Sequence, residues 1–249
     1  PIGFYYKAFY RPRWLFPYWE RLIRELAGLG KVDTTYRGGR QSRTNRYCDV
    51  LVVGAGAAGL AAAAGLADSD LDVVLVDENR HPGGSIDFMH AHEADAQTFR
   101  DNALADIERA TNIERVADAF AGACYDRYTV PLVAASGVTQ VHARAIIFAT
   151  GVIEQPAVFR NNDLPGIMLA TGAQRLIHRF AVAPCDTCVV LTANDEGYRA
   201  AIDFAAAGIR VAAVVDMQAA PANGAAAAEL FGRGIQLIPD AHIDEAHGS

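Results

Sequence analysis

The chain has 249 residues, of which 51% are apolar and 20% charged, enough for one or two folded domains with a sizeable core. No segment approaches the roughly 18 apolar residues of a membrane span. The first residues do not follow a signal-peptide pattern, and four cysteines do not make a secreted disulfide framework. These features argue against a disordered, membrane-spanning or secreted protein and lead us to expect a cytoplasmic one.

Residues 1–46 are predicted to form a basic, aromatic arm that ends in a polar linker. They contain ten Lys or Arg against three Asp or Glu, so the arm carries +7 and the remainder −14. Nine of the first nineteen residues are aromatic, and Trp19, Leu22, Ile23 and Leu26 have the spacing of one helix face. Since so large an apolar patch is unfavourable in water, we expect the arm to dock on a partner subunit or on the body. Adsorption to a membrane surface or to single-stranded nucleic acid is the less favoured alternative.

Residues 47–160 carry the clearest motif of the chain. A strand over residues 50–53 is followed by Gly54-x-Gly56-x-x-Gly59, a helix to about residue 67 and a second strand over 73–76 that ends at Asp77. In such a unit the glycines allow a tight turn, close approach of a pyrophosphate and close packing of the helix. The acid after the second strand hydrogen-bonds a ribose hydroxyl. The segment therefore predicts a dinucleotide-binding domain for NAD or FAD. NADP, which usually requires an arginine near this acid, is a less favoured alternative because Arg80 lies close by.

Further residues complete the candidate cofactor site. Paired glycines at Gly83 and Gly84 permit close backbone approach to a ligand, and "AIIFATG" predicts an apolar strand that runs into a turn. Should Asp77 not contact the ribose, its neighbour Glu78 is the alternative. The predicted cofactor-binding residues are Gly54, Gly56, Ala57, Ala58, Gly59, Asp77, Glu78, Gly83, Gly84, Ser85, Thr150 and Gly151.

The remaining segments predict alternating helices and strands. Residues 91–118 have helical composition, short β-like runs follow, and a helix is expected within 166–182. Residues 161–249 then form a second unit, whose strand–helix–strand pattern spans 188–216 and is followed by one more helix and strand. Its turn contains Asp195 and Glu196 where a phosphate loop needs glycines, and like charges there would repel a pyrophosphate.

The fold class predicted is α/β: a Rossmann-like FAD/NAD(P)-binding domain with a parallel sheet, plus a second, degenerate βαβ unit that is incomplete at its carboxyl end. We expect no metal, because Cys185-x-x-Cys188 has no second ligand pair at matching spacing. No residue of the chain is assigned as catalytic.

Several stretches together resemble a known family. "VVGAGAAGL", "VVLVDENRHPGGS" and "AIIFATG" are similar to the glutathione-reductase-like flavoprotein superfamily. The aromatic arm, "ATGVIEQPAVFRNNDLPGIMLATGAQRLIHRFAV" and "VVLTANDEGYRAAIDFAAAGIRVAAVVD" resemble the α subunit of heterotetrameric sarcosine oxidase. Whole subunits of this kind also carry a ferredoxin-like and an aminomethyltransferase-like domain, which this sequence lacks, so the resemblance implies a fragment or a short form.

The resemblance implies a function as well as a fold. It predicts NAD in the glycine-loop domain, and a subunit of a flavin-dependent complex that oxidises sarcosine or a related secondary amino acid at a flavin held by another subunit. Partner subunits would bind through the arm and the second βαβ unit. Two alternatives remain open: a non-catalytic dinucleotide-binding or assembly module, and a small stand-alone FAD-dependent oxidoreductase.

Overall fold

The computed structural model describes residues 12–28, 33–35, 42–91, 93–219 and 224–248, in two units that divide after residue 40. In the first unit a short 3₁₀ turn (Arg13–Leu15) leads into helix α1 (Phe16–Leu26). No side chain of α1 is buried within the unit, and Trp14, Tyr18 and Leu26 are more than two-thirds exposed. The aromatic residues before position 12, on which the docking prediction also rests, lie outside the described residues.

The second unit begins with a six-stranded sheet in the order β3-β2-β1-β6-β5-β4. Strands β1, β2, β3 and β6 are parallel, whereas β5 is antiparallel to both β6 and β4. Helices α2 (Ala57–Ala64) and α3 (Ala94–Arg109) belong to the connections between the parallel strands. The strand bounds are β1 (Ser42–Val53), β2 (Val73–Val76), β3 (Ile113–Val116), β4 (Phe120–Ala121), β5 (Thr129–Ala134) and β6 (Gly137–Phe148).

Residues 50–53 of β1 are buried on both faces of the sheet, and successive side chains of this strand point to opposite faces. Val50 and Val52 of β1 pack with Leu60 and Ala63 of α2 in one core cluster. Leu51 and Val53, the intervening residues, pack in a second cluster with side chains of β5 and β6. The continuous apolar run of β1 is therefore explained by a strand covered on both sides.

Two predicted boundaries within this unit are wrong. Strand β1 begins at Ser42, eight residues before the predicted start, because residues 42–48 pair in parallel with β6 from Gly137 onward. The predicted helix over 91–118 ends at Arg109, and Ile113–Val116 forms β3 instead. The side chain of Asn112 secures this change of direction by donating hydrogen bonds to the carbonyls of Leu66 and Leu71.

Helix α4 (Ala170–Phe180) connects this region to a second, three-stranded parallel sheet in the order β7-β8-β9. Its core joins Val190, Tyr198, Phe204, Val214 and Leu230, which are nearly inaccessible to solvent. The predicted strand–helix–strand pattern is present here, with the elements β7 (Thr187–Thr192), α5 (Asp195–Ala206), β8 (Arg210–Asp216), α6 (Ala225–Gly232) and β9 (Gln236–Ile238). Across the described part of the chain, no helix combines the length and apolarity needed to cross a membrane.

Candidate functional site

The glycine loop lies at the carboxyl end of β1, between this strand and α2. Gly54 has φ +102°, and a Cβ at this position would overlap the carbonyl oxygen of Ala149, the residue after β6. A Cβ on Gly59 would likewise overlap the carbonyl oxygen of Gly54. Both positions require glycine for the fold itself, because strand, turn and helix approach one another too closely for any side chain.

Gly56 differs from the other two glycines of the loop. Its φ is −77°, an angle that any residue adopts. The nearest described atom to a Cβ built at Gly56 would be Cα of Gly84, at 3.9 Å, which is an ordinary van der Waals distance. Neither the backbone conformation nor the protein packing therefore requires glycine at this position. A glycine of this kind leaves its space to a molecule that approaches the backbone from outside.

The Gly83–Gly84 loop contacts the glycine loop directly. The N–H of Gly83 donates to the carbonyl of Ala55 at 2.8 Å, and Gly83 forms an isolated parallel bridge with Gly56. Gly84 has φ +58°, and a Cβ there would be 2.9 Å from Cα of Gly56. Ser85 follows within a 3₁₀ helix (Gly84–Asp87). The two predicted glycine segments thus form one surface.

The amino terminus of α2 is available to an anion. Gly56 is the N-cap residue and has no side chain to accept a hydrogen bond from the first turn, where Ala57 and Ala58 are exposed. Uncapped N–H groups at the start of a helix, together with the positive end of the helix dipole, are a binding site for phosphate. The position next to Gly56 suits the pyrophosphate of a dinucleotide.

The two predicted acids have different surroundings. Asp77 accepts a hydrogen bond from the N–H of Ala55 at 2.6 Å through one carboxylate oxygen. Its other oxygen accepts from the backbone N–H and the side-chain amide of Asn79, at 2.7 and 2.9 Å. Asp77 therefore anchors the glycine loop to the end of β2. Glu78 is exposed and makes no hydrogen bond or ion pair with another described residue.

Thr150 and Gly151 extend the same edge of the sheet. The N–H of Ala149 donates to the carbonyl of Val53 at 2.8 Å, which holds the end of β6 beside the end of β1. Cα of Thr150 would be 3.4 Å from a Cβ on Gly54, and Gly151 has φ +73°. The predicted site residues are thus brought to the carboxyl ends of β1, β2 and β6, the edge where open α/β sheets bind ligands.

The corresponding turn of the second unit is closed by its own side chains. The hydroxyl of Thr192 donates to the carbonyl of Asn194 and accepts from the N–H of the same residue. The side chain of Asn194 caps α5 by accepting from the N–H of Glu196 at 3.1 Å. A Cβ at Gly197 would overlap the side chain of Thr192, so this glycine serves helix packing. The N–H groups of Asn194, Glu196 and Gly197 thus have acceptors within the turn, which carries two acids where the first unit has glycines.

Sequence reasoning missed a basic cavity beside the predicted site. The cavity measures about 620 Å³, and its described lining includes Arg80, His81, Arg100 and Arg179 together with the carboxylate of Asp87. Arg100 donates to Asp87 and Asp101, and both hydrogen bonds raise its pKa, Asp101 most. The lining comes from three segments that are separated in the sequence. Only Arg80, which closely follows the end of β2, could have pointed to a basic site from the sequence alone.

Cys188, the second residue of the cysteine pair, carries no sign of a reactive thiol. Burial raises the pKa of Cys188 to about 11, and the neighbouring Cys185 raises it further, so Cys188 is protonated at neutral pH. Among the residues that the structure describes, no three His, Cys, Asp or Glu side chains are grouped as metal ligands.

Comparison with known proteins agrees with this geometry. A family model described as "NAD(P)-binding Rossmann-like domain" matches residues 52–120, which span the glycine loop and the acids. The α subunit of sarcosine oxidase from Rhizobium meliloti (strain 1021) is 35% identical over 89% of this chain, and that from Corynebacterium sp. (strain P-1) is 36% identical over 86%. This chain is homologous to sarcosine oxidase α subunits. It spans about a quarter (24%) of their length, and 40% of an opine oxidase subunit from Rhizobium meliloti that is 30% identical.

Solved structures support the same fold. L-proline dehydrogenase from P. horikoshii matches with a TM-score of 0.57 and 21% identity, over 86% of this chain and 40% of that one. Thioredoxin reductase from T. acidophilum matches with a TM-score of 0.58 and 19% identity, over 82% of this chain and 67% of that one. The chain thus has a Rossmann-like FAD/NAD(P)-binding fold, as predicted. The prediction of NAD or FAD is confirmed at the level of the cofactor class, which is NAD(P) or FAD.

Proposed function

We propose that this chain is the dinucleotide-binding part of a multi-subunit, flavin-dependent oxidoreductase that acts on sarcosine or a related secondary amino acid. The homologues of this chain support the proposal, since they are α subunits of sarcosine oxidase and subunits of opine oxidase. The homologous region is the glycine-loop fold, so the contribution that we assign to the chain is cofactor binding and assembly of the complex.

The observation that carries the proposal is the space at Gly56. Protein contacts account for glycine at Gly54, Gly59 and Gly84, but not at Gly56, which faces outward at the uncapped start of α2. A pyrophosphate placed there would accept hydrogen bonds from the first-turn N–H groups, and Glu78 would hold a ribose hydroxyl. When bound, the dinucleotide supplies a nicotinamide or flavin ring that exchanges hydride. NAD follows from the family resemblance, and FAD is the alternative.

The second unit is proposed to serve assembly. Its turn carries two acids, and the N–H groups of Asn194, Glu196 and Gly197 already donate within the turn, which leaves a pyrophosphate fewer donors and an unfavourable charge. We therefore assign this unit and the aromatic arm to contacts with partner subunits. Four free thiols agree with a reducing compartment, in line with a cytoplasmic location.

The direct test is to identify the bound molecule and to ask whether Gly56 is needed to hold it. Purified protein is scanned for visible flavin absorption, and the ligand released by heat is identified by mass spectrometry. The Gly56→Val variant is expected to lose the ligand while remaining folded by circular dichroism. Gly232→Val is the matched control, because a Cβ at Gly232 meets no described atom within 4 Å. Retention of the ligand by folded Gly56→Val would refute the assigned site.

Assembly of the complex needs a separate test. Deletion of residues 1–30 is expected to abolish complex formation with co-expressed partner subunits and to leave dinucleotide binding unchanged. Pull-down of the complex and titration of the dinucleotide measure the two effects. Normal complex formation by the truncated chain would remove the arm from the interface.

A further inference from the structure

The cysteines of Cys185-x-x-Cys188 are a pair of thiols that the proposed function does not use. Cys185 lies in the loop after α4, and Cys188 is the second residue of β7. Both thiols are free and partly exposed, and both side chains pack against the core of the second sheet. The two side chains therefore point to the same side of this segment, where small molecules in solvent can reach them.

The two thiols are in contact with each other. A side-chain hydrogen bond links the thiol of Cys188 with that of Cys185. A disulfide requires Cβ atoms about 3.8 Å apart and an S–S bond of about 2.05 Å. Thiols in hydrogen-bonding contact come within reach of such a bond by rotation of the side chains, so the backbone of the segment can stay in place.

Arg210, the first residue of β8, fixes both residues between the cysteines. Its N–H donates to the carbonyl of Asp186 at 3.0 Å, and its Nε donates to the hydroxyl of Thr187 at 3.2 Å. The pairing of β7 with β8 keeps one register up to Cys188 and shifts directly after it. Because the intervening residues are held by a neighbouring strand, the two thiols are kept together before any bond forms between them.

We propose that Cys185 and Cys188 form a reversible disulfide, a two-electron redox site whose oxidant is hydrogen peroxide. Cys185 loses its proton and attacks the peroxide: an S–O bond forms, the O–O bond breaks and one water leaves, so that Cys185 becomes a sulfenic acid. Cys188 then attacks this sulfur, the S–S bond forms, the S–O bond breaks, and the proton of Cys188 leaves in a second water. The two thiols lose two electrons to one peroxide, and a dithiol reductant restores them.

The order of attack follows from the surroundings of the two sulfur atoms. The thiolate is the nucleophilic form of cysteine, and burial, which raises the pKa of Cys188 to about 11, keeps this residue protonated at neutral pH. We therefore assign Cys185 as the attacking sulfur and Cys188 as the one that resolves the sulfenic acid. This site needs no dinucleotide and goes beyond the proposed function.

Disulfide mapping by mass spectrometry of the purified, reduced chain tests the proposal. The chain is treated with hydrogen peroxide, free thiols are blocked with N-ethylmaleimide, and peptides are compared before and after dithiothreitol. We expect a Cys185–Cys188 bond within one chain. The neighbouring thiol is present at an effective concentration of about 1 mM or more, roughly a thousandfold above protein at ~1 µM. Cys124→Ser removes an exposed thiol outside the pair and is the matched control, expected to form the same bond.

Serine variants of the pair separate the two roles. Cys188→Ser is expected to stop at a sulfenic acid on Cys185, which dimedone labels, whereas Cys185→Ser should leave Cys188 reduced. Circular dichroism checks that each variant is folded, and the mapping of the wild type decides the proposal even if a variant unfolds.

Three outcomes would contradict the proposal. Recovery of Cys185 and Cys188 as free thiols, under a peroxide treatment that oxidises Cys124, would overturn it. Disulfides found only between two molecules would overturn it as well. A sulfenic acid on Cys188 in folded Cys185→Ser would overturn the assigned order of attack. Each of these measurements is made without a dinucleotide, so the proposed function stands or fails separately.

Discussion

Removal of the Asp77 carboxylate should act mainly on the stability of the folded protein and less on its affinity for the ligand. In Asp77→Ala the N–H of Ala55, a residue that is 1% exposed, loses its acceptor. A buried donor without a partner costs about 1–3 kcal/mol, whereas water can replace the bonds to the half-buried Asn79. We therefore expect the free energy of unfolding to fall by about 1–3 kcal/mol. The melting temperature should fall by about 2–4 °C per kcal/mol of lost stability.

Two neighbouring variants separate this structural role from ligand binding. Asp77→Asn keeps an acceptor for Ala55, although its NH₂ group then faces the two donors of the half-buried Asn79, so its loss should be smaller than that of Asp77→Ala. Glu78→Gln changes an exposed side chain and should leave stability within about 0.5 kcal/mol, yet weaken dinucleotide binding by about 1–3 kcal/mol.

The assay must separate the two effects. Urea denaturation of ligand-free protein measures stability, because a bound ligand would add its own stabilisation, and calorimetric titration of the dinucleotide measures affinity. If Asp77→Ala unfolds with the same urea midpoint as the wild type, Asp77 does not anchor the glycine loop. If Glu78→Gln binds the dinucleotide as the wild type does, Glu78 does not contact the ribose.

Three further predictions follow from the packing and the charges. Gly59→Ala should lose about 1–3 kcal/mol in urea denaturation because its Cβ overlaps the preceding loop, and wild-type stability would contradict that packing. At pH 8 iodoacetamide should label exposed Cys124 well before Cys188, whose pKa is raised to about 11, and equal rates by mass spectrometry would contradict this. The hydrogen bond from Arg46 lowers the pKa of Asp72 in the folded state. The ionised Asp72 therefore stabilises the folded protein fully above the unfolded pKa of about 4, and this stabilisation is lost as the pH falls through the lower pKa of the folded state. Arg46→Gln should flatten that part of the melting-temperature profile against pH, and an unchanged profile would exclude the pair as its cause.

The sequence by itself determined the glycine-loop unit. The glycine spacing, the apolar run of residues 50–53 and the acid at Asp77 all lie within about 25 residues, and each is dictated by local backbone geometry or by burial of a strand on both faces. The polar turn of the second unit was recognisable for the same reason, since its acids and missing glycines are adjacent in the chain. These features depend on contacts between near neighbours, and a pattern of residues is sufficient to predict them.

Only the tertiary structure decided the rest. Residues 42–47 are polar and predict a linker, yet they extend β1 because β6, almost a hundred residues later, supplies their backbone partners. Gly56 and Gly59 are equivalent in the motif, and only the folded structure distinguishes them. Gly59 packs too closely against Gly54 to carry a side chain, whereas Gly56 leaves space for a ligand beside Gly84. The basic cavity joins side chains near positions 80, 100 and 179. Such features arise when the parallel sheet brings distant segments to one edge, and sequence periodicity does not record which segments meet there.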